Sequence, residues 1–196
     1  MQTRNCSDNE LVKQFILGDQ KSIEQLINRY KDRIYTYIYF NVKNQHLAED
    51  IFQDTFIKVI QSLKAGKYKD EGRLASWITR IAHNLIIDHY RKEKNFQTLS
   101  NDEGEMEIFN SRKLADESFE EDIVMDQITQ DVRKLIDYLP DDQKEVVVLR
   151  HFVGLSFKEI AEQTNVSINT ALGRMRYALI NLRRLIEEKN ICLTKN

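Results

Sequence analysis

The chain has 196 residues, of which 41% are hydrophobic and 31% charged, with six glycines and one proline. This composition favours a helical globular protein of one or two domains over a turn-rich β fold. The formal net charge of −2 excludes a simple polycation, so any binding of nucleic acid must come from local basic surfaces or from a basic partner.

Targeting and metal signals are missing from the sequence. The first ten residues lack the apolar core of a secretory signal, and no apolar stretch approaches the roughly 20 residues of a membrane helix. Cys6 and Cys192 stand near opposite ends and outside any CxxC pair, which argues against zinc and redox sites. We predict a soluble cytoplasmic protein without cofactor, metal site or membrane insertion.

Four helices are predicted in the first half of the chain, where apolar residues recur at spacings of three and four. The first starts at a cap formed by Ser7 or Asp8 and ends at Gly18. The second runs from Asp19 to about residues 41–44, and the fourth carries apolar residues from position 74 to 86. The third presents a polar outer face, made of Glu49, Asp50, Gln53, Asp54 and Lys58.

A change of composition follows. Ten acidic residues and two basic ones lie between Leu99 and Asp126, and few apolar residues repeat at a helical period before Phe119. Such a segment buries too little surface to offset its ordering entropy. We therefore predict an all-α protein in which two small helical domains, residues 1–94 and 119–196, are joined by a flexible acidic linker over 95–118.

The second domain begins with a helical pattern from Phe119 that Pro140 ends. Another helix is predicted to start at residues 146–149 and to close near Gly154. Next comes a capping box, in which Ser156 caps a helix that Glu159 supports from its third position. This helix ends at residue 163, and after a turn a second one runs from the cap Ser167 to about Glu188.

The capped helix, turn and longer helix form a predicted helix-turn-helix, whose second helix can enter the DNA major groove. No acid lies between positions 168 and 186, whereas four arginines do, which suits contact with phosphates. These are Arg174, Arg176, Arg183 and Arg184. The alternative is an ordinary helical hairpin with a solvated basic face, because such motifs have many false positives.

Basic and aromatic residues interleave between Arg73 and Lys94, a combination that holds single strands by base stacking and phosphate contact. Core packing is the competing interpretation for Trp77. A favourable interaction with the helix dipole is the competing interpretation for the basic cluster Arg91–Lys94.

The carboxylates of the third helix suggest a docking or solvated face and not a metal site, since only His46 stands at ligand spacing. No nucleophile–base arrangement and no P-loop, GxSxG or GxGxxG motif is present, so catalysis is disfavoured.

Two stretches resemble a known family. Residues 19–94 are similar to the promoter-melting domain of extracytoplasmic-function (ECF) sigma factors, in the strings IEQLINRYKDRIYTYIY, AEDIFQDTFIKVI and LASWITRIAHNLIIDHYRK. Residues 139–185 resemble the second domain, in the string LPDDQKEVVVLRHFVGLSFKEIAEQTNVSINTALGRMRYAL. The two matches cover well over half of the chain in the family's order, which makes them much more specific than a helix-turn-helix alone.

The resemblance implies a sigma-70 family subunit that directs core RNA polymerase to promoters and helps to open the DNA. Its implied partners are the β′ clamp and β subunit of the core, promoter DNA and, as for many members, an anti-sigma factor. The implied polymerase-binding residues are Glu49, Asp50, Gln53 and Asp54. The implied residues for reading and melting the −10 element are Trp77, Arg80, Asn84, Asp88, Tyr90, Arg91 and Lys92. The implied −35 residues are Ser167, Asn169, Thr170, Arg174, Arg176 and Tyr177.

The second helix of the motif departs from the family's common sequence. Leu172 and Gly173 stand where a basic residue and a serine are frequent, and Tyr177 stands where an arginine is frequent. A free-standing helix-turn-helix regulator is the main alternative function, and an RNA-binding or protein-docking module is the third. Initiation from promoter fragments with added core polymerase distinguishes them.

Overall fold

The computed structural model describes residues 6–69, 72–98 and 134–189, and every regular element in these ranges is helical. The predicted all-α class is therefore confirmed. The chain divides into two compact units, Met1–Ala115 and Asp116–Asn196. The first contains α1 (Asp8–Ile16), α2 (Gln20–Val42), α3 (Gln45–Lys64) and α4 (Leu74–Thr98). The second contains α5 (Asp141–Val147), a π-helical segment (Val148–Val153), α6 (Phe157–Gln163) and α7 (Ile168–Glu188).

Local side chains explain where the helices of the first unit begin. Ser7 accepts a hydrogen bond from the backbone N–H of Glu10, whose carboxylate accepts one from the backbone of Ser7 at 2.8 Å. Ser7 is thus the cap of α1. Gly18, with a φ of 105°, adopts a conformation that costs glycine little, and Asp19 then caps α2.

The core of the first unit lies between α2, α3 and α4. Ile34, Tyr37 and Ile38 of α2 are fully buried. The Tyr37 hydroxyl lies 2.9 Å from Nδ1 of His83, so this hydrogen bond joins α2 to α4. Burial lowers the pKa of His83, which favours the neutral ring. The polar outer face of α3 and one long face of α4 are left toward solvent.

The end of α4 overlaps the range predicted as linker. Helix α4 continues to Thr98, four residues into the range predicted as linker, since no proline or glycine interrupts positions 95–98. Most of the predicted linker, and the predicted helix from Phe119 as far as residue 133, lie outside the described residues. Among the described helices, none combines the length and apolar character that spanning a membrane requires.

The second unit contains the predicted helix-turn-helix. Ser156 and Glu159 form the capping box of α6, and Ser167 caps α7 by accepting from the Thr170 amide at 3.0 Å. In the turn between them, Asn165 is left-handed with a φ of 54°.

The preceding helix was placed wrongly by the sequence pattern. It starts at Asp141, directly after Pro140, and not at residues 146–149, and it becomes π-helical from Val148 before Gly154 closes it. Acidic residues in its first turn favour the early start, because they interact well with the helix dipole.

Candidate protein and nucleic-acid interfaces

The outer face of α3 carries a row of exposed acidic and amide side chains. Glu49, Asp50, Gln53 and Asp54 are all exposed. Glu49 accepts a hydrogen bond from Gln45 at 3.0 Å. Among the residues described, no group of three histidine, cysteine or acidic side chains is placed to hold a metal ion. The row is therefore suited to contact with a basic protein surface.

Apolar side chains that the sequence analysis did not single out border this row. Ile57 is 51% exposed and lies one turn beyond Gln53 and Asp54 on the same helix. On the other side, Tyr35 of α2 packs edge-on against Phe52, with ring centroids 5.9 Å apart. Burial raises the pKa of Tyr35, and the charge of Glu49 raises it further. The sequence signal for Ile57 was its spacing, which places it off the apolar face of α3.

Five of the predicted −10 residues share one face of α4. The spacings from Trp77 to Arg80, Asn84, Asp88 and Arg91 are three, four, four and three, which align the side chains along a helix. Arg80, Asn84, Asp88 and Arg91 are exposed, while Trp77 is half-buried. The α4 face, as we call these five residues, is therefore a continuous polar and basic surface with one aromatic end.

Trp77 meets an aromatic partner from the loop after α3. The Tyr68 ring lies with its centroid 4.9 Å from that of Trp77, at an interplanar angle of 52°. This contact holds part of the indole in place, but the Trp77 side chain remains partly exposed to solvent. The geometry is thus compatible with both interpretations of the sequence, core packing and base stacking.

Tyr90 does not join Trp77. It lies thirteen residues later, about 20 Å along the helix, and more than 120° around the axis. Its hydroxyl donates to the carbonyl of Asn41 at 3.1 Å, so the ring ties α4 to the end of α2. The two aromatic rings cannot act on the same base step. Lys92 is exposed at the C-terminal part of α4.

An open cavity lies beside the α4 face. Its volume is about 460 Å³, and Asn84 is the predicted site residue that lines it. Most of its other walls come from α3 and the following loop, which reach Asn84 only through the tertiary fold, so the sequence did not place them in this site. These walls include Lys58, Gln61, Ser62, Lys67 and Ile81. Amide, hydroxyl and ammonium groups around an isoleucine suit a planar ligand with polar edges, such as a nucleobase.

The predicted −35 residues are divided between a cap and an exposed face. Ser167 and Thr170 hydrogen-bond to each other at the start of α7, with their hydroxyl oxygens 2.8 Å apart. Asn169, Arg176 and Tyr177 are exposed, Tyr177 by 63%. Arg174 differs from them, since its guanidinium lies 3.2 Å from the carboxylate of Asp142 in α5.

Known proteins match both units. A model of Sigma-70 region 2 matches residues 26–96, and a model of Sigma-70, region 4 matches residues 129–177. The ECF RNA polymerase sigma factor SigW of Bacillus subtilis is 31% identical over 180 residues, which cover 90% of this chain and 95% of SigW. The chain belongs to the ECF sigma factors.

Further similarities agree with this assignment. The sigma factor SigZ of B. subtilis is 32% identical over 166 residues, covering 85% of this chain and 88% of SigZ. In fold, the chain is similar to CnrH, solved in complex with the cytosolic domain of CnrY, with a TM-score of 0.65 at 21% identity, covering 93% and 99% of the two chains. The ECF sigma factor described here directs core RNA polymerase to promoters and helps to open the DNA, and the free-standing regulator is not supported.

Gly173 gives a first test of the recognition helix. A β-carbon built on it meets nothing within 4 Å, so the fold of this sigma factor does not require glycine there. Gly173→Ala should raise the free energy of unfolding by about 0.5–1 kcal/mol, measured by denaturant titration with far-UV circular dichroism. Gly154→Ala is the control in the same unit; it should destabilise, because Gly154 has a φ of 86°. A less stable Gly173→Ala variant contradicts the geometry.

Proposed function

We propose that this sigma factor divides its work between three surfaces. The acidic row of α3 binds core polymerase, the α4 face with its cavity binds and opens the −10 element, and the exposed face of α7 reads the −35 element. The first domain is assigned to residues 1–94 and the second to residues 119–196, with the acidic linker 95–118 between them. The observation that carries the proposal is the segregation of charge within the first unit, acid on α3 and a basic, aromatic-ended face on α4.

The acidic row fits a basic protein partner. Exposed Asp50 and Asp54 lie one turn apart, and Glu49 and Gln53 fill the same face. Charge of one sign on such a face speeds encounter with an oppositely charged surface and disfavours wrong partners. Because none of these acids forms an ion pair with another residue that the structure describes, we assign them to the β′ clamp, with β as a further contact of the assembled enzyme.

The α4 face fits unpaired DNA. Extruding a base costs a few kcal/mol of stacking, which a pocket with polar walls and an adjacent aromatic ring can offset. The cavity beside Asn84 supplies such walls through Gln61 and Ser62. Arg80, Arg91 and Lys92 are exposed and are assigned to phosphates, while Asp88 shares their face.

Helix α7 fits the major groove through its N-terminal half. Asn169, Arg176 and Tyr177 are exposed there, and an asparagine or arginine side chain can read base edges. Ser167 and Thr170 form the cap, so we assign them to holding the helix start, from which their hydroxyls can also reach phosphates.

The proposed location and regulation of the chain follow from its function as a sigma factor. The chain acts as a binding subunit in the cytoplasm, with no catalysis of its own. An anti-sigma factor is a proposed partner. In support, the fold resembles that of the sigma factor RpoE, solved with the anti-sigma factor NepR from Bartonella quintana, with a TM-score of 0.63 at 21% identity.

Two variants in the reconstituted holoenzyme test the division. Asn84→Ala should reduce permanganate reactivity of thymines in the −10 region while hydroxyl-radical protection of the −35 element persists. Arg176→Gln should do the reverse. It should raise the holoenzyme concentration needed for half protection of the −35 element about five- to a hundred-and-fiftyfold, because one good contact contributes roughly 1–3 kcal/mol. Equal effects of either variant on both elements contradict the assignment of separate surfaces.

A further inference from the structure

Arg174 faces α5, whereas Asn169 and Arg176 of the predicted −35 residues lie on the exposed side of α7. The Arg174 side chain is 26% exposed, and its Nε lies 3.2 Å from Oδ2 of Asp142. Two residues further along, Arg176 is exposed and points roughly 200° away around the helix axis. One arginine therefore faces α5, and the other faces outward.

A second carboxylate of α5 depends on the same guanidinium. Glu145 is half-buried, and burial raises its pKa, as do the charges of Asp142 and Asp141. The charge of Arg174 acts in the opposite direction. Arg174 thus compensates two acidic groups of α5 at once, one by direct contact and one by proximity. To bind a DNA phosphate, Arg174 would have to leave both of these carboxylates.

The same pair of helices carries a second polar contact. Asn181 Nδ2 donates to Gln143 Oε1 at 2.8 Å, seven residues and about 10 Å along α7 from Arg174. The buried residues of α7 are Ala171, Met175 and Ala178, and the two alanines offer little side-chain surface that would restrict rotation of the helix. Directional polar contacts at two levels supply that restriction.

We propose that Arg174 is a positioning residue, which holds the rotation of α7 about its axis and so directs Asn169, Arg176 and Tyr177 toward DNA without touching DNA itself. This inference rests on the proposed −35 function of α7. It revises the role that the family resemblance implied for Arg174, and it adds Asp142 as a residue that acts through Arg174.

The test compares holoenzymes on a promoter and on the same promoter with a scrambled −35 element. Arg174→Gln should lower discrimination between the two about five- to thirtyfold, a range typical of a lost interaction of this class. The slope of log affinity against log salt should stay that of the wild type, because no phosphate contact is lost. The matched control Arg176→Gln removes an exposed positive charge that is assigned to the DNA, so it should lower discrimination and also reduce that slope.

Asp142→Asn distinguishes a positioning role of Arg174 from direct contact of Arg174 with DNA, because Asp142 carries no positive charge that could bind DNA. It should lower discrimination in the same direction, and the double variant should be no worse than the more affected single variant. A salt slope that falls with Arg174→Gln, or unchanged discrimination with Asp142→Asn, overturns the proposal. The proposal is also overturned if the loss of discrimination disappears when the concentration of each variant is corrected for its folded fraction, as measured by thermal melts.

Failure of the proposed −35 function of α7 would give a different experimental result. If the wild-type holoenzyme itself does not distinguish the two promoters, then α7 does not read the −35 element, and the proposed function fails. If the wild type distinguishes them and the Arg174 and Asp142 variants behave as phosphate contacts or as neutral changes, only the positioning role fails.

Discussion

Asp50→Lys is expected to lower the affinity of the chain for core polymerase at least a hundredfold. Asp50 is exposed at the centre of the acidic row, and its reversal places a cation opposite a basic surface. A like-charge contact across an interface costs several kcal/mol, which corresponds to a factor of a hundred or more. Lysine is a good helix former, so the helical content should not change. Competition for fluorescently labelled core enzyme measures the effect.

Glu24→Lys is the matched control, because Glu24 is an exposed acid of α2 with the same change of charge. It should leave affinity nearly unchanged. Raising the salt concentration should weaken wild-type binding more than binding of Asp50→Lys, since screening removes an attraction that the variant lacks. Co-elution of Asp50→Lys with core polymerase at wild-type affinity contradicts the docking assignment for α3.

Trp77→Ala is expected to impair strand opening by about ten- to a hundredfold while polymerase binding stays within twofold. Stacking of a base on an aromatic side chain contributes roughly 1–3 kcal/mol, and the half-buried indole is the aromatic end of the α4 face. The acidic row lies on α3, so a substitution in α4 does not remove its contacts with core polymerase. Permanganate footprinting measures opening, and competition for core enzyme measures binding.

Trp77→Phe is the control that keeps an aromatic ring beside Tyr68 while shortening it. It should retain most of the opening activity. The contrary outcome is a parallel fall of opening, core binding and helical content in Trp77→Ala. That result establishes the packing role of Trp77 against Tyr68 and removes it from the DNA-binding residues.

Local chemistry made much of the fold predictable. The caps formed by Ser7, Ser156 and Ser167 depend on residues within three positions, so the sequence places them directly. The polar face of α3 follows from periodicity alone, and the structure leaves its acids exposed. These features need no knowledge of which helices pack together.

Contacts between helices that lie far apart in the sequence could not be predicted from the sequence. Tyr90 bonds to Asn41 across α2 and α4, and Arg174 pairs with Asp142 across α5 and α7. Each residue fits a DNA-binding composition, and only the packing reveals its partner within the protein. The start of α5 at Asp141 was missed for a related reason, since its first turn is acidic and not apolar.

Mapping transcription start points tests the central assignment most directly. Core polymerase is supplied with fragmented genomic DNA from the source organism, with and without the purified full chain, and the RNA 5′ ends are sequenced. We expect a set of start points that appears only with the chain and shares two upstream elements, and that is lost with Asp50→Lys. Identical start points in both reactions would contradict the role of this protein as the subunit that selects promoters.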